Sequence, residues 1–158
     1  MTVESNSTYQ IVGFHFKVSF LNLPTVKEVD VRFQSVGGMN VEVEKETVKE
    51  GGENRFEHSI PGRRKYTSLT LKRGILTPEH SGLTQWCQDA FQNMVITPVG
   101  KVNIELLNEN HDVLMQWELS HVWPVSWKVG ELNAEQGSVL IETLELNYNY
   151  FKLVTVNP

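Results

Sequence analysis

Phe33-Gln-Ser-Val-Gly-Gly-Met39, Val41-Glu-Val-Glu-Lys-Glu-Thr-Val48, Glu50-Gly-Gly-Glu-Asn54, Arg63-Arg-Lys-Tyr66 and Leu69-Thr-Leu-Lys-Arg-Gly74 follow one another in residues 33–74, and their pattern decides the fold. Val41, Val43, Lys45 and Thr47 alternate with Glu42, Glu44 and Glu46, which predicts a strand with one wholly acidic face. Glu50-Gly51-Gly52-Glu53-Asn54 is a turn signal. Residues 55–60 are expected to return as a short strand that Pro61-Gly62 stops, and 66–73 to form another with Leu69 and Leu71 on one face. Residues 42–57 hold six Glu against Lys45, Lys49 and Arg55, whereas 63–73 hold five basic residues and no acid. Opposite charges this close in sequence can pair within one chain, or meet head-to-tail between identical copies.

On the N-terminal side, the polar residues 1–10 read as a flexible arm, and 11–158 as a single domain. Val12, Phe14, Phe16, Val18 and Phe20 alternate with Gly13, His15, Lys17 and Ser19, and predict a strand with one buried face. Val29, Val31 and Phe33 predict a second, which Gly37-Gly38 turns or bulges. On the C-terminal side the period changes. Leu83, Trp86, Cys87, Ala90, Phe91 and Met94 form one stripe of an amphipathic helix, capped by Ser81 or by Thr77 with Pro78. Val102, Ile104 and Leu106 resume the period of two, Asn108 to Asp112 read as a hairpin turn, and Val113, Met115, Trp117, Leu119 and His121 alternate after it. Trp123-Pro124 is expected to bend or edge the sheet, 133–137 to be a loop, and 140–150 to be one long last strand with Glu142 the exception on its apolar face. The fold class is mainly β: an antiparallel sandwich or barrel of about seven or more strands with one flanking helix.

The net charge of -5 argues against specific nucleic-acid binding, since only the small clusters at 63–65 and 72–73 are basic. No apolar run approaches the roughly 20 residues of a membrane span, and the polar N-terminus does not read as a secretory signal. Cys87 lies on the buried helix stripe and reads as a small core residue; His121 reads as a core or interface histidine beside Trp117 and Trp123. No motif calls for a metal, a cofactor or a catalytic group, and the three glutamates of one strand face do not place an acid and a base in opposed environments. The residue patterns leave three function classes: a structural ring-forming protein, a monomeric β-sandwich module binding a carbohydrate or protein ligand, and a hydrolase with a carboxylate pair.

These motifs taken together resemble the tail-tube proteins of contractile phages and phage-like contractile injection systems. The resemblance is carried by 33–39, Glu50-Gly-Gly-Glu-Asn54, Pro61 before the basic cluster, 65–74, Trp86, Trp117-Glu-Leu-Ser-His-Val-Trp-Pro124 and Ile141-Glu-Thr-Leu-Glu-Leu146, and covers about 11–151. It implies two antiparallel sheets with a helix at one side, hexameric rings stacking into a hollow tube, and sheath, baseplate or other tube proteins as partners. It further implies assembly in a bacterial cytoplasm and a place in a phage tail-like particle. The segment 21–28 is longer than the short turn of the plainest members, which suits a specialised ring joining tube to baseplate. On this basis Glu42, Glu44 and Glu46 are expected to line the lumen, and Glu50, Glu53, Asn54, Arg55, Arg63, Arg64 and Lys65 to form the ring or stacking interface.

Overall fold

The computed structural model describes residues 15–23, 30, 32–49, 51–52 and 55–156. The expected N-terminal arm, the start of the first strand at Val12 and Phe14, and Val29 and Val31 of the second lie outside them. In chain order the elements are β1 (Phe16–Leu21), β2 (Ser35–Gly37), β3 (Val41–Val48), β4 (His58–Tyr66), β5 (Leu69–Gly74), α1 (Gly82–Phe91), β6 (Val99–Leu107), β7 (Val113–Val129), β8 (Ile141–Asn147) and β9 (Tyr150–Val154). Every pairing is antiparallel. One sheet runs β1-β6-β7-β8-β5-β2 with β9 added on β7, and β3 and β4 form a separate two-stranded ribbon.

β7 holds the main sheet together. Its first half pairs with β6 and β9, and from Trp123 onward it pairs with β8. The change happens at His121, whose φ of 54° lies in the left-handed region. Leu119 faces the core before it, and Val122 and Pro124 face the core after it, so the inward alternation shifts by one residue although the pairing register with β6 is unchanged there; the register with β8 shifts later, between Pro124 and Ser126. His121 is exposed, which excludes the core half of the core-or-interface reading; the left-handed backbone turns it out. The predicted bend near Trp123-Pro124 therefore falls two residues earlier.

The inner faces of the two halves share one core, with Val18, Phe20, Val102, Ile104 and Leu119 from one side and Leu69, Leu71, Leu144 and Leu146 from the other. The stripe of α1 closes it through Leu83, Trp86 and Cys87, and the Trp86 indole N–H donates to the Thr97 carbonyl at 2.8 Å. Ser81 is the N-cap, its Oγ accepting from the Thr84 N–H at 3.1 Å. Phe91 and Met94 do not pack as the helical period predicts. The helix ends at Phe91, Met94 adopts φ 55°, and the two are 41% and 88% exposed.

Three strand boundaries also differ from the sequence reading. β4 runs through Pro61 and Gly62 instead of stopping there. Among the described residues the outer edges of the ribbon pair with no strand, so a proline costs no hydrogen bond if its nitrogen faces outward. The chain breaks at Thr67-Ser68, where it leaves the ribbon for β5. The long last strand is two, β8 and β9, separated at Tyr148-Asn149. Gly38, at φ +86°, makes the entry turn of the ribbon; a Cβ there would collide with the Ser68 carbonyl.

Candidate assembly surface

The β3–β4 ribbon projects from the body. Every residue of β3 is exposed, and in β4 only Gly62 and Tyr66 are partly covered. Its base is held by Tyr66, whose ring meets Tyr148 at 5.9 Å and Phe151 at 5.3 Å, while the Tyr148 hydroxyl donates to the Thr67 carbonyl at 2.6 Å. Beyond that base the ribbon packs along no other strand among the described residues. A two-stranded hairpin is at best marginally stable in water by itself.

Register assigns the two faces. Val41 is opposite Tyr66 and Val43 opposite Arg64 on one face; Glu42 is opposite Lys65 and Glu46 opposite Ile60 on the other. Glu42, Glu44 and Glu46 thus share one exposed face, as their alternation requires. Three ionised carboxylates in water carry no desolvation cost. Between Val43 and Lys45 the register shifts, and β4 takes an extra residue at Gly62-Arg63. Gly62 fits there because a Cβ would lie 2.9 Å from the Glu44 carbonyl oxygen and 3.2 Å from the Glu46 side chain.

Arg63, Arg64 and Lys65 are exposed, but they belong to strand β4 and not to a connecting loop. Arg55 is exposed at the return side of the turn, and Glu50, Glu53 and Asn54 lie outside the described residues. The basic run is not one surface. Lys65 stands across from Glu42 within the ribbon, and Arg73 is buried.

Arg73 anchors a charge cluster absent from the sequence reading. It stands directly across from Glu142, at the end of the inward pairs Leu69–Leu146 and Leu71–Leu144. Its Nε donates to Glu142 Oε1 at 2.5 Å, Nη1 to Asp30 Oδ1 at 3.1 Å, and Nη2 to Ser81 Oγ at 2.7 Å and Thr84 Oγ1 at 3.0 Å. Trp127 Nε1 donates to the second Glu142 oxygen at 2.9 Å. Asp30 accepts from the Gly82 N–H at 2.9 Å and from the Ser81 hydroxyl. Two carboxylates meet one guanidinium, and the positive N-terminal end of α1 offsets the excess negative charge. Glu142, the exception on an apolar strand face, was the sequence signal for this cluster.

The remaining reactive side chains are inert or scattered. Burial, and then the Glu142 charge, push the Cys87 thiol up to about 12, so it stays protonated. His15 and His111 meet edge to face at 4.7 Å, and His80 shares a 2.8 Å hydrogen bond with Thr77. Among the described residues no three His, Cys, Asp or Glu side chains converge as metal ligands.

The second exposed feature is the outer face of β1-β6-β7-β9. It is polar, and on it Glu118 lies 3.5 Å from both Lys101 and Lys152. Among the described residues, β1, β2 and β9 each have an edge that no further strand pairs.

The family described as T4-like virus tail tube protein gp19 matches residues 12–152. A chain of the anti-feeding prophage baseplate, solved with six-fold symmetry, is 32% identical, with 93% of this chain and 97% of that chain covered and a TM-score of 0.80. A chain of the PVC extracellular contractile injection system, in its extended sheath–tube complex, is 22% identical over 95% of each chain with a TM-score of 0.76. A chain of the anti-feeding prophage tube-terminating cap is 21% identical over 99% and 100%, with a TM-score of 0.75. None of the curated proteins matches this chain.

Proposed function

This chain belongs to the tail tube protein family of T4-like viruses, and on that premise we propose that it is an inner-tube subunit of a contractile injection particle. Copies close hexameric rings, and the rings stack into a hollow tube that meets sheath, baseplate and other tube proteins. The role is structural, and no catalytic group takes part. The subunit folds in a bacterial cytoplasm and ends in the particle.

The observation that carries this reading is the ribbon: a long two-stranded arm, exposed along nearly its whole length among the described residues. On this reading the face with Glu42, Glu44 and Glu46 looks into the lumen or its rim, where like charge keeps an acidic cargo from sticking. Arg55, Arg63, Arg64 and Lys65, with Glu50, Glu53 and Asn54 of the turn, meet the next ring or subunit. The identity of 32% to a baseplate chain, against 22% to a chain of the sheath–tube complex, supports a ring close to the baseplate.

Electron microscopy of the purified protein tests the reading. Rings of one diameter, alone or stacked, are the expected result; a monodisperse monomer at every concentration would refute it and favour a monomeric binding module. Labelling the protein in intact particles separates the positions. A label at one end marks a baseplate ring, and a label along the full length marks the bulk tube.

A further inference from the structure

We propose that His15 and His111 together hold a divalent transition-metal ion such as Zn2+, and that the ion ties the entry of β1 to the turn between β6 and β7. The site belongs to neither the ribbon nor the Arg73 cluster, and it does not depend on the tube reading.

The two residues lie far apart in the chain, so no spacing motif announces them; strand pairing brings them together. Phe16 is opposite Leu106, and the Leu107 N–H donates to the His15 carbonyl at 2.9 Å, so His15 stands beside the end of β6. The turn that follows is held from inside. The Asn108 side-chain oxygen accepts from the Asn110 and Asp112 N–H groups, both at 2.9 Å, and the Asn108 carbonyl accepts from the His111 N–H at 3.1 Å. His111 itself adopts φ 67°. Both backbones are thus fixed before any ion arrives, and little order remains to be imposed on binding.

The ring centres are 4.7 Å apart and the ring planes cross at 83°. A metal about 2.0–2.1 Å from an imidazole nitrogen, in the plane of the ring, lies about 3.2 Å from the ring centre. Bond angles of about 90–110° at the metal then set two ring centres about 4.5–5.2 Å apart, and the observed spacing falls in that window. Edge-to-face packing aims the edge of one ring at the face of the other. One imidazole must therefore turn about its Cβ–Cγ bond, a soft torsion that leaves the ring centre almost in place. Imidazole nitrogens suit Zn2+, Cu2+ or Ni2+, and not Mg2+ or Ca2+, which take oxygen ligands. Glu109 and Asp112, both exposed, sit in the same turn and favour a cation there. Two protein ligands are one fewer than in a catalytic zinc site, so water fills the other positions and the ion exchanges with solution. Among the described residues β1 pairs only with β6, so a link at its entry holds the end of a strand that would otherwise fray.

Calorimetric titration of the untagged chain with ZnCl2 tests this. One Zn2+ per chain is expected, with a melting midpoint that rises with metal concentration; MgCl2 should do neither. His15→Gln and His111→Gln should each weaken binding about tenfold or more, while His80→Gln leaves it intact. His111→Phe separates ligation from packing. It keeps an aromatic ring against His15 but has no nitrogen to offer, so its melting midpoint without metal should stay near that of the wild type while the Zn2+ response disappears. Circular dichroism checks that each variant is folded. No Zn2+ uptake by the wild type, or equal uptake in both glutamine variants, would overturn the site and leave only a packed ring pair. Wild-type binding by His111→Phe would overturn it as well. Ring formation plays no part in these readouts, so the tube reading stands or falls separately.

Discussion

The chain handles its charges in two opposite ways. Around Arg73 they are buried, few and fully hydrogen-bonded; on the ribbon they are exposed, many and in open rows. The first arrangement ties β5, β8, α1 and Asp30 into one unit, because a buried ion tolerates only the geometry that satisfies it. The second adds little to the stability of one subunit, since water screens it. Charge in the body fixes the fold, and charge on the ribbon stays in water.

The sharpest way to break this contrast is Arg73→Met. It strands two buried carboxylates and should cost about 3–5 kcal/mol of stability, read from urea denaturation. Adding Glu142→Leu should recover part of the loss, as an apolar pair replaces a broken ionic one. Unchanged stability in Arg73→Met would mean that the cluster is not what holds α1 in place.

Trp86→Ala gauges the apolar part of the same unit. It removes a side chain that is 4% exposed together with its bond to Thr97, and should cost about 3–5 kcal/mol. An unchanged melting temperature would place Trp86 outside the core.

Cys87 provides a pH test. Its ordinary value is 9.0, and burial raises it to about 12 in the folded protein. The folded state thus favours the neutral thiol. The resulting stability is present in full below pH about 9 and is lost as pH rises toward 12, up to a few kcal/mol. Tyr148, pushed up to about 12 by burial and then by Tyr66, acts over part of that window. Cys87→Ala should therefore reduce the alkaline loss without abolishing it, as urea midpoints at neutral and alkaline pH will show. Equal slopes for wild type and variant would contradict the burial argument.

The smallest effect on the fold is expected on the ribbon. Reversing Arg63, Arg64 and Lys65 to Glu should leave the melting midpoint of the subunit unchanged, yet block tube growth, with weaker inhibition as salt rises. Normal tubes at low salt would break the comparison on the side of the ribbon.

Much of this was readable in the residues, for local reasons. The alternation of β6 and of the first half of β7, the Ser81 cap and the Asn108 turn rest on near neighbours; the Asn108 side chain accepts from the N–H groups of Asn110 and Asp112, both at 2.9 Å. Misreadings arose where a distant partner or an unusual backbone decides. Pro61-Gly62 reads as a stop unless the strand is known to have a free edge. His121 gives no hint of its left-handed backbone. Glu142 could be seen as anomalous, but Asp30 and Arg73 reach it only through the fold. On the candidate surface the charged residues stood out at once; that Arg63, Arg64 and Lys65 lie in a strand, and that β9 is added on β7, are facts of topology.

The kink at His121 has a mechanical consequence. Because β7 is one unbroken backbone across both halves of the main sheet, the two halves cannot slide past each other without stretching covalent bonds. A shear load along the subunit is carried by peptide bonds where a two-sheet sandwich would rely on side-chain contact. A subunit built this way resists shear as one block.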